Sequence, residues 1–246
     1  MGTDSQEVIK AFSNLAADYE AVVDAELHRF WGWSYEHFVE WLLDLVRLRQ
    51  GSLWQRSLVL DIATGTALIP RKLVRGQEPV KRVVGVDITP GMLYMARHVA
   101  APFNSRIALA CGSGMALPLA GGAFDVAICA LGTHHMEAEA LVSEMRRVLA
   151  PGGVLAIADV AAHPAWKRPG IGTILRLAAF LYFLPSRNIA RARAEAAAVA
   201  RVHTVDEWHT LLGEFGFAEI QVTQPLGRCL WSPVPFAITA KRCQEE

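Results

Sequence analysis

The segment Val59-Leu60-Asp61-Ile62 ends an apolar run in an acid and opens into the small residues Ala63-Thr64-Gly65-Thr66-Ala67. Small residues in a strand-to-helix turn let backbone approach a ligand closely, and the next helix aims its first amides at that ligand. A second apolar run, Arg82-Val83-Val84-Gly85-Val86-Asp87, also ends in an acid. It lies roughly 20 residues beyond the loop, the spacing at which a carboxylate reaches ribose hydroxyls in nucleotide-binding α/β folds. Singly, Gly65 need only permit a turn and Asp87 need only cap a helix. In order, at two strand ends, they favour a nucleotide-like cofactor. The loop reads A-T-G-T-A-L instead of G-x-G-x-x-G, which argues against a dinucleotide. His134 and His135 follow a fourth apolar run, Phe124 to Ala130. Imidazoles there titrate near neutrality and are candidates to take a proton from an acceptor. The competing reading has one of them capping a helix or lying in solvent.

These residues need a scaffold. Apolar runs at 57–62, 82–87, 107–110, 124–130 and 154–159 alternate with helical patterns ending near Arg75, opening at Thr89-Pro90 and covering 138–149. Continuous apolar strands separated by helices predict a parallel sheet covered on both faces, with ligands beyond the carboxyl ends of the strands. Pro151-Gly152-Gly153 marks the end of the helix before strand five. Helical periodicity predicts one helix over 6–24 and another over 34–49 capped by Ser34, with an aromatic joint at 28–33 between them. Thr204 and Glu207 form a capping box, and 218–222 and 235–240 read as two final strands around an irregular, non-helical 224–232.

The chain of 246 residues carries 24 Lys+Arg against 24 Asp+Glu, and a net charge of zero argues against a nucleic-acid binder. With 52% apolar and 20% charged residues it is neither disordered nor, lacking an apolar run of about 18 residues, membrane-spanning. The opening MGTDSQEVIK lacks the basic and then apolar regions expected of a signal peptide. Four cysteines at 111, 129, 229 and 243 show no metal-ligand spacing. Cys111 and Cys129 read as reduced packing residues, which implies a cytoplasmic setting and no metal site. His98, His163, His203 and His209 read as surface residues, and Trp31 and Trp33 as packing.

Four stretches resemble, in order, the motifs of class I S-adenosylmethionine-dependent methyltransferases. They are Val59 to Ala67, Val86-Asp87-Ile88-Thr89-Pro90-Gly91-Met92-Leu93, Ala116 to Leu119 with Phe124-Asp125-Val126, and Arg146 to Gly153. Phe12-Ser13, Ala17-Asp18-Tyr19 and the 28–31 aromatics are similar to the menaquinone/ubiquinone C-methyltransferase group and related small-molecule enzymes. The resemblance implies a seven-stranded, mostly parallel Rossmann-like sheet with the last strand antiparallel. It implies S-adenosylmethionine as cofactor and S-adenosylhomocysteine as product. Asp61, Ala63, Thr64 and Gly65 would surround the methionine part and Asp87 the ribose, with Ile88 and Met92 near adenine. Gly112, Ser113, Gly114 and Met115 would border adenine too, though Ser113 replaces the acid usual there. Ala130 and Leu131 would border the methyl group, and Tyr19 would touch cofactor or substrate unless it packs in the core. Ala63 and Ala67 replace glycines.

One domain is expected: an N-terminal helical cap (1–50), a cofactor-binding core (51–163), a helical insertion (164–203) and a C-terminal helix with strands (204–246). The insertion joins an apolar half, Ile171 to Leu184, to a half carrying Arg187, Arg191, Arg193 and Arg201. A lid over a greasy acceptor, with its arginines in water, is the leading reading. Contact with an anionic membrane surface is the alternative. The expected function is methyl transfer to a small, largely apolar acceptor, a quinone precursor or specialised metabolite. The alternatives are a lipid methyltransferase at a membrane surface, an enzyme that binds the cofactor without transferring its methyl, and a nicotinamide-dependent oxidoreductase.

Overall fold

The computed structural model describes residues 3–186, 188–225 and 233–244. Five strands, β1 (Leu58–Ile62), β2 (Arg82–Asp87), β3 (Ile107–Cys111), β4 (Phe124–Ala130) and β5 (Leu149–Ala161), pair in parallel. With β6 (Phe217–Thr223) and β7 (Val234–Arg242) they form a seven-stranded sheet of order β3-β2-β1-β4-β5-β7-β6. β7 runs antiparallel to both of its neighbours, as the resemblance implied for the last strand. Side chains alternate across β1. Val59 joins a core with helices α3 (Tyr35–Gln50) and α4 (Leu68–Arg75), whereas Leu60 and Ile62 join one with α6 (Ala138–Val148) and α9 (Val205–Glu214). Both faces are therefore covered, and ligands are left the strand ends.

The N-terminal helix is two helices. α1 (Thr3–Leu15) stops, and α2 (Tyr19–Trp31) starts after Asp18 takes the non-helical φ −109°, ψ 8°. The Asp18 side chain makes no cap bond there; the break is one of backbone conformation, which the apolar periodicity does not register. Gly32, at φ 72°, closes α2 by donating its N–H to His28 O, so most of the aromatic joint is helical. Ser34 caps α3 by accepting from His37 N–H, and the Thr204–Glu207 capping box of α9 is present.

Further corrections are local. Pro151-Gly152-Gly153 is not a turn before β5. It lies inside it, where the register to β4 shifts and Gly152 takes φ 77°. Cys129 is fully buried, but Cys111 is exposed at the end of edge strand β3 and is not a packing residue. His163 accepts from Ala165 N–H, and His203 packs against Trp208, so neither is a bare surface group. Most of 224–232 and all of Cys229 and Arg187 lie outside the described residues.

Helix α5 (Pro90–Ala100) follows β2, and the insertion after β5 folds as α7 (Ile171–Phe183) and α8 (Ile189–Ala198). α7 turns Leu175, Tyr182 and Phe183 inward and leaves Ile174, Leu177 and Leu181 exposed. The arginines of the insertion divide: Arg193 stays exposed on α8, whereas Arg191 does not face open water. Arg191 is buried, donating to both oxygens of Glu26 at 2.8 Å and lying 3.6 Å from Glu195. Arg193 pairs with Glu7 at 3.5 Å, and Arg201 with Glu137 at 2.7 Å. Among the described residues no helix is long and apolar enough to cross a membrane.

Candidate active site

The loop after β1 closes on β2. Thr64 donates its N–H to Val86 O at 3.1 Å and its hydroxyl to Asp61 Oδ2 at 2.6 Å. Gly65, at φ 53°, donates its N–H to Asp87 Oδ2 at 2.9 Å, and Thr89 N–H reaches Asp87 Oδ1 at 2.8 Å. Ala63 and Ala67, where glycines were expected, adopt φ 57° and 66°. A non-glycine residue there costs about 1–2 kcal/mol, local strain that the loop tolerates. Gly132, after β4, must stay small, because a Cβ would lie 2.8 Å from that of Ala63.

Two carboxylates are thus buried side by side. Burial holds the Asp61 carboxyl up to about 7, against the pull of the Thr64 hydroxyl and with some help from Asp87's charge. Asp61 Oδ1 has no hydrogen-bond partner. Burial also raises Asp87, opposed by the Thr89 and Gly65 amides.

A cleft of about 80 Å³ opens beside them. Of the residues singled out from sequence, Tyr19, Ala63, Gly65, Asp87, Ile88, Met92, Gly112, Ser113, Gly114, Met115, Leu131 and His135 line it. Asp61, Thr64 and Ala130 do not; Asp61 and Thr64 are buried. Sequence reasoning missed Phe12, Thr89 and Met136, which also line it.

A second cavity of about 390 Å³ adjoins the first, and Phe12, Tyr19 and Leu131 line both. Its walls come from α2, including Phe30 and Trp31, and from Trp166, Leu175, Tyr182 and Phe183 of the insertion. Trp31 therefore does more than pack on Phe38, whereas Trp33 packs against Trp41. Leu131 sits at the junction with φ 51°, and its N–H donates to Ala158 O at 2.9 Å.

The two histidines separate. His134 faces the larger cavity and His135 the cleft. His134 Nδ1 lies 2.8 Å from Asp159 Oδ1, while Thr133 donates N–H and hydroxyl to Asp159 Oδ2 at 2.8 and 2.7 Å. Burial alone would lower His134, but the charge and hydrogen bond of Asp159 carry it up to about 9. His135 is pushed well down by burial and by His134's charge, and its ring packs edge-on to Phe12 at 5.2 Å. Asp159 was not among the sequence candidates. It lies near the carboxyl end of β5 as Asp61 and Asp87 do on their strands, and that pattern could have found it. Glu26, Arg191 and Glu195, the charged residues of the larger cavity, had no signal beyond residue type.

Comparison with known proteins adds a frame. Residues 60–157 match the family described as a methyltransferase domain. The chain is 36% identical over 107 residues to demethylmenaquinone methyltransferase of Thermus thermophilus, covering 43% of this chain and 48% of that protein. The match thus spans about half the length of that relative. A methyltransferase-like protein of Schizosaccharomyces pombe is 24% identical over 232 residues, covering 85% of this chain and 78% of that one. Among solved structures, geranyl diphosphate C-methyltransferase of Streptomyces coelicolor superposes with a TM-score of 0.64 at 16% identity, covering 92% of this chain and 84% of that one. That enzyme was solved with Mg²⁺, geranyl diphosphate and S-adenosyl-L-homocysteine, and at this identity the likeness concerns the fold.

Proposed function

We propose, from the match of residues 60–157 to the methyltransferase-domain family, that the chain transfers a methyl group from S-adenosylmethionine to a small, largely apolar acceptor. The observation that carries the reading is the adjoining pair of cavities. One is edged by the carboxylate that ends β2, the other is walled by apolar side chains, and Phe12, Tyr19 and Leu131 are common to both. The donor set fits the cofactor. Asp87 is a carboxylate at a cleft edge suited to ribose hydroxyls, and Asp61 keeps an oxygen without a partner.

When bound, the cofactor supplies an electrophilic methyl on a sulfonium, so alignment and dryness are the main demands on the protein. Asp87 would orient the ribose, and the Ala63–Ala67 loop would approach the methionine part. Leu131 and Tyr19 would frame the passage to the acceptor, and the aromatic walls of the larger cavity would exclude water. His134, protonated at neutral pH by virtue of Asp159, would donate a hydrogen bond to a polar group of the acceptor and so orient it. A quinone precursor or specialised aromatic metabolite suits these walls. Arg191, buried against Glu26, and Arg201, paired with Glu137, are not presented to an anionic surface, which supports the lid reading over a membrane contact even though, of these arginines and Arg193, only Arg193 faces water as that reading expected.

The test incubates the purified chain with methyl-labelled S-adenosylmethionine and a panel of hydroxylated aromatic acceptors. Labelled product and S-adenosylhomocysteine in equal amounts are expected. Cofactor binding without S-adenosylhomocysteine release across the panel would favour the enzyme that keeps its methyl.

A further inference from the structure

The larger cavity is apolar except at one end, where Glu26, Arg191, Glu195 and His134 meet. Three of these have a place in local pairing. Arg191 is held by Glu26, and His134 is held through Nδ1 by Asp159. Glu195 is different. Its side chain is only 15% exposed, its contact to Arg191 is a loose 3.6 Å, and Arg191 already has both Glu26 oxygens. A carboxylate so placed is costly unless something else donates to it.

Across from Glu195 stands His134. A ligand atom of Glu195, one of His134 and one of His135 all lie within 4.8 Å of one another, yet no direct ion pair or hydrogen bond joins Glu195 to His134 among the described residues. Two hydrogen bonds of about 2.8 Å meeting at one tetrahedral oxygen span about 4.6 Å. With Nδ1 committed to Asp159, the Nε2 of His134 is the nitrogen left to face the cavity, and the imidazole's raised basicity keeps a proton there at neutral pH. The gap is therefore bordered by a donor on one side and an acceptor on the other. A hydroxyl matches both. An ether lacks the hydrogen, and an ammonium group would face the positive charges of His134 and Arg191.

We propose that Glu195, on the lid helix α8, is a specificity-determining residue that with His134 grips a hydroxyl of the acceptor, so that the larger cavity selects hydroxylated aromatic molecules over their ethers. The proposal rests on the methyl-transfer reading for the word acceptor, but the recognition is a property of the cavity alone. A cation held by the same three residues is the rival occupant. It is disfavoured because Arg191 places a positive charge beside Glu195.

The experiment compares 1-naphthol with 1-methoxynaphthalene by equilibrium dialysis against the full chain at pH 7. Wild type should bind the naphthol about tenfold more tightly or better. Glu195→Leu should reduce that preference to within twofold while leaving the ether's affinity unchanged, and Glu195→Gln, which keeps an acceptor oxygen, should restore part of it. Equal affinity of wild type for the two probes overturns the proposal, even if the Leu variant fails to fold. So does a Leu variant that keeps the preference. Stoichiometric zinc, iron or manganese in the purified protein, lost in Glu195→Leu, also overturns it and assigns the trio to an ion. Titration calorimetry with S-adenosylmethionine separates the two readings. Absent cofactor binding overturns methyl transfer, whereas intact cofactor binding without hydroxyl preference overturns the Glu195 site alone.

Discussion

Asp61→Asn tests whether the carboxylate behind the cleft is held for a ligand at the expense of the fold. Burial raises the Asp61 carboxyl from 3.8 to about 7. A folded value above the unfolded one means that the native chain holds the proton more tightly. This group's contribution to stability is therefore fully present below about pH 4 and is lost as pH rises to about 7. Roughly 3 pH units at about 1.36 kcal/mol each correspond to about 4 kcal/mol. Asn removes the charge and still accepts the Thr64 hydroxyl, which reaches Asp61 Oδ2 at 2.6 Å. It also sets an amide N–H2 at Oδ1, which has no partner, and an unmet donor costs about 1–3 kcal/mol. The variant should thus be about 1–3 kcal/mol more stable than wild type at pH 8, with the gap narrowing by about 2–3 kcal/mol by pH 5. Urea unfolding followed by tryptophan fluorescence at pH 5, 6.5 and 8, without cofactor, measures this. A pH-independent gap, or a variant less stable at pH 8, would refute the reasoning.

Asp87→Asn should weaken S-adenosylmethionine binding by about 1.5–3 kcal/mol in calorimetry. Because Asp87 also accepts from the Gly65 and Thr89 amides, the variant should lose stability as well, unlike a purely ligand-facing residue. Arg191→Met strips Glu26 of its partner and should cost about 2–4 kcal/mol in urea unfolding, with Glu26→Gln in the same chain recovering part of it. On α7, Tyr182→Ala should impair acceptor use, whereas the outward Leu177→Asp should leave turnover and melting temperature unchanged; the reverse pattern would place the cavity wall wrongly. His134 is faced by Asp159, Glu195 and His135, and wild-type turnover should decline as pH passes about 9, where its proton is lost. His134→Gln should be slower and flat across that range in a pH–rate profile.

Residues 57–160 were legible because their signals are local. An apolar run ending in an acid, then a small-residue turn, is both a folding instruction and a ligand edge. Asp87 and Gly65 accordingly fall beside one another in space. The acid near the end of β5 had the same signature but no motif around it, so Asp159 and its bond to His134 emerged only from the packing of β5 beside β4. The insertion was legible as helices and as an apolar lid but not in its charges. Which carboxylate meets Arg191 depends on α2, some 165 positions away in the chain, and no periodicity encodes that. The split of α1 from α2 shows the limit from the other side, since one apolar stripe can run through a break in backbone conformation at Asp18.

The reversed strand β7 has a consequence for synthesis. Its partners on either side are β5 and β6, both made earlier, so the sheet cannot close until a strand near residue 240 has left the ribosome. Until then β5 presents an apolar edge, from Val154 to Ala161, with its backbone amides and carbonyls unclaimed on that side. Such an edge invites pairing with other chains. Nascent chains therefore pass through a stage at which nearly all of the cofactor cleft has been made while the sheet stands open beside it. A premature stop before β7 would leave a sticky half-sheet instead of a smaller working enzyme. Holdase binding to stalled chains should peak over the interval from β5 to β7.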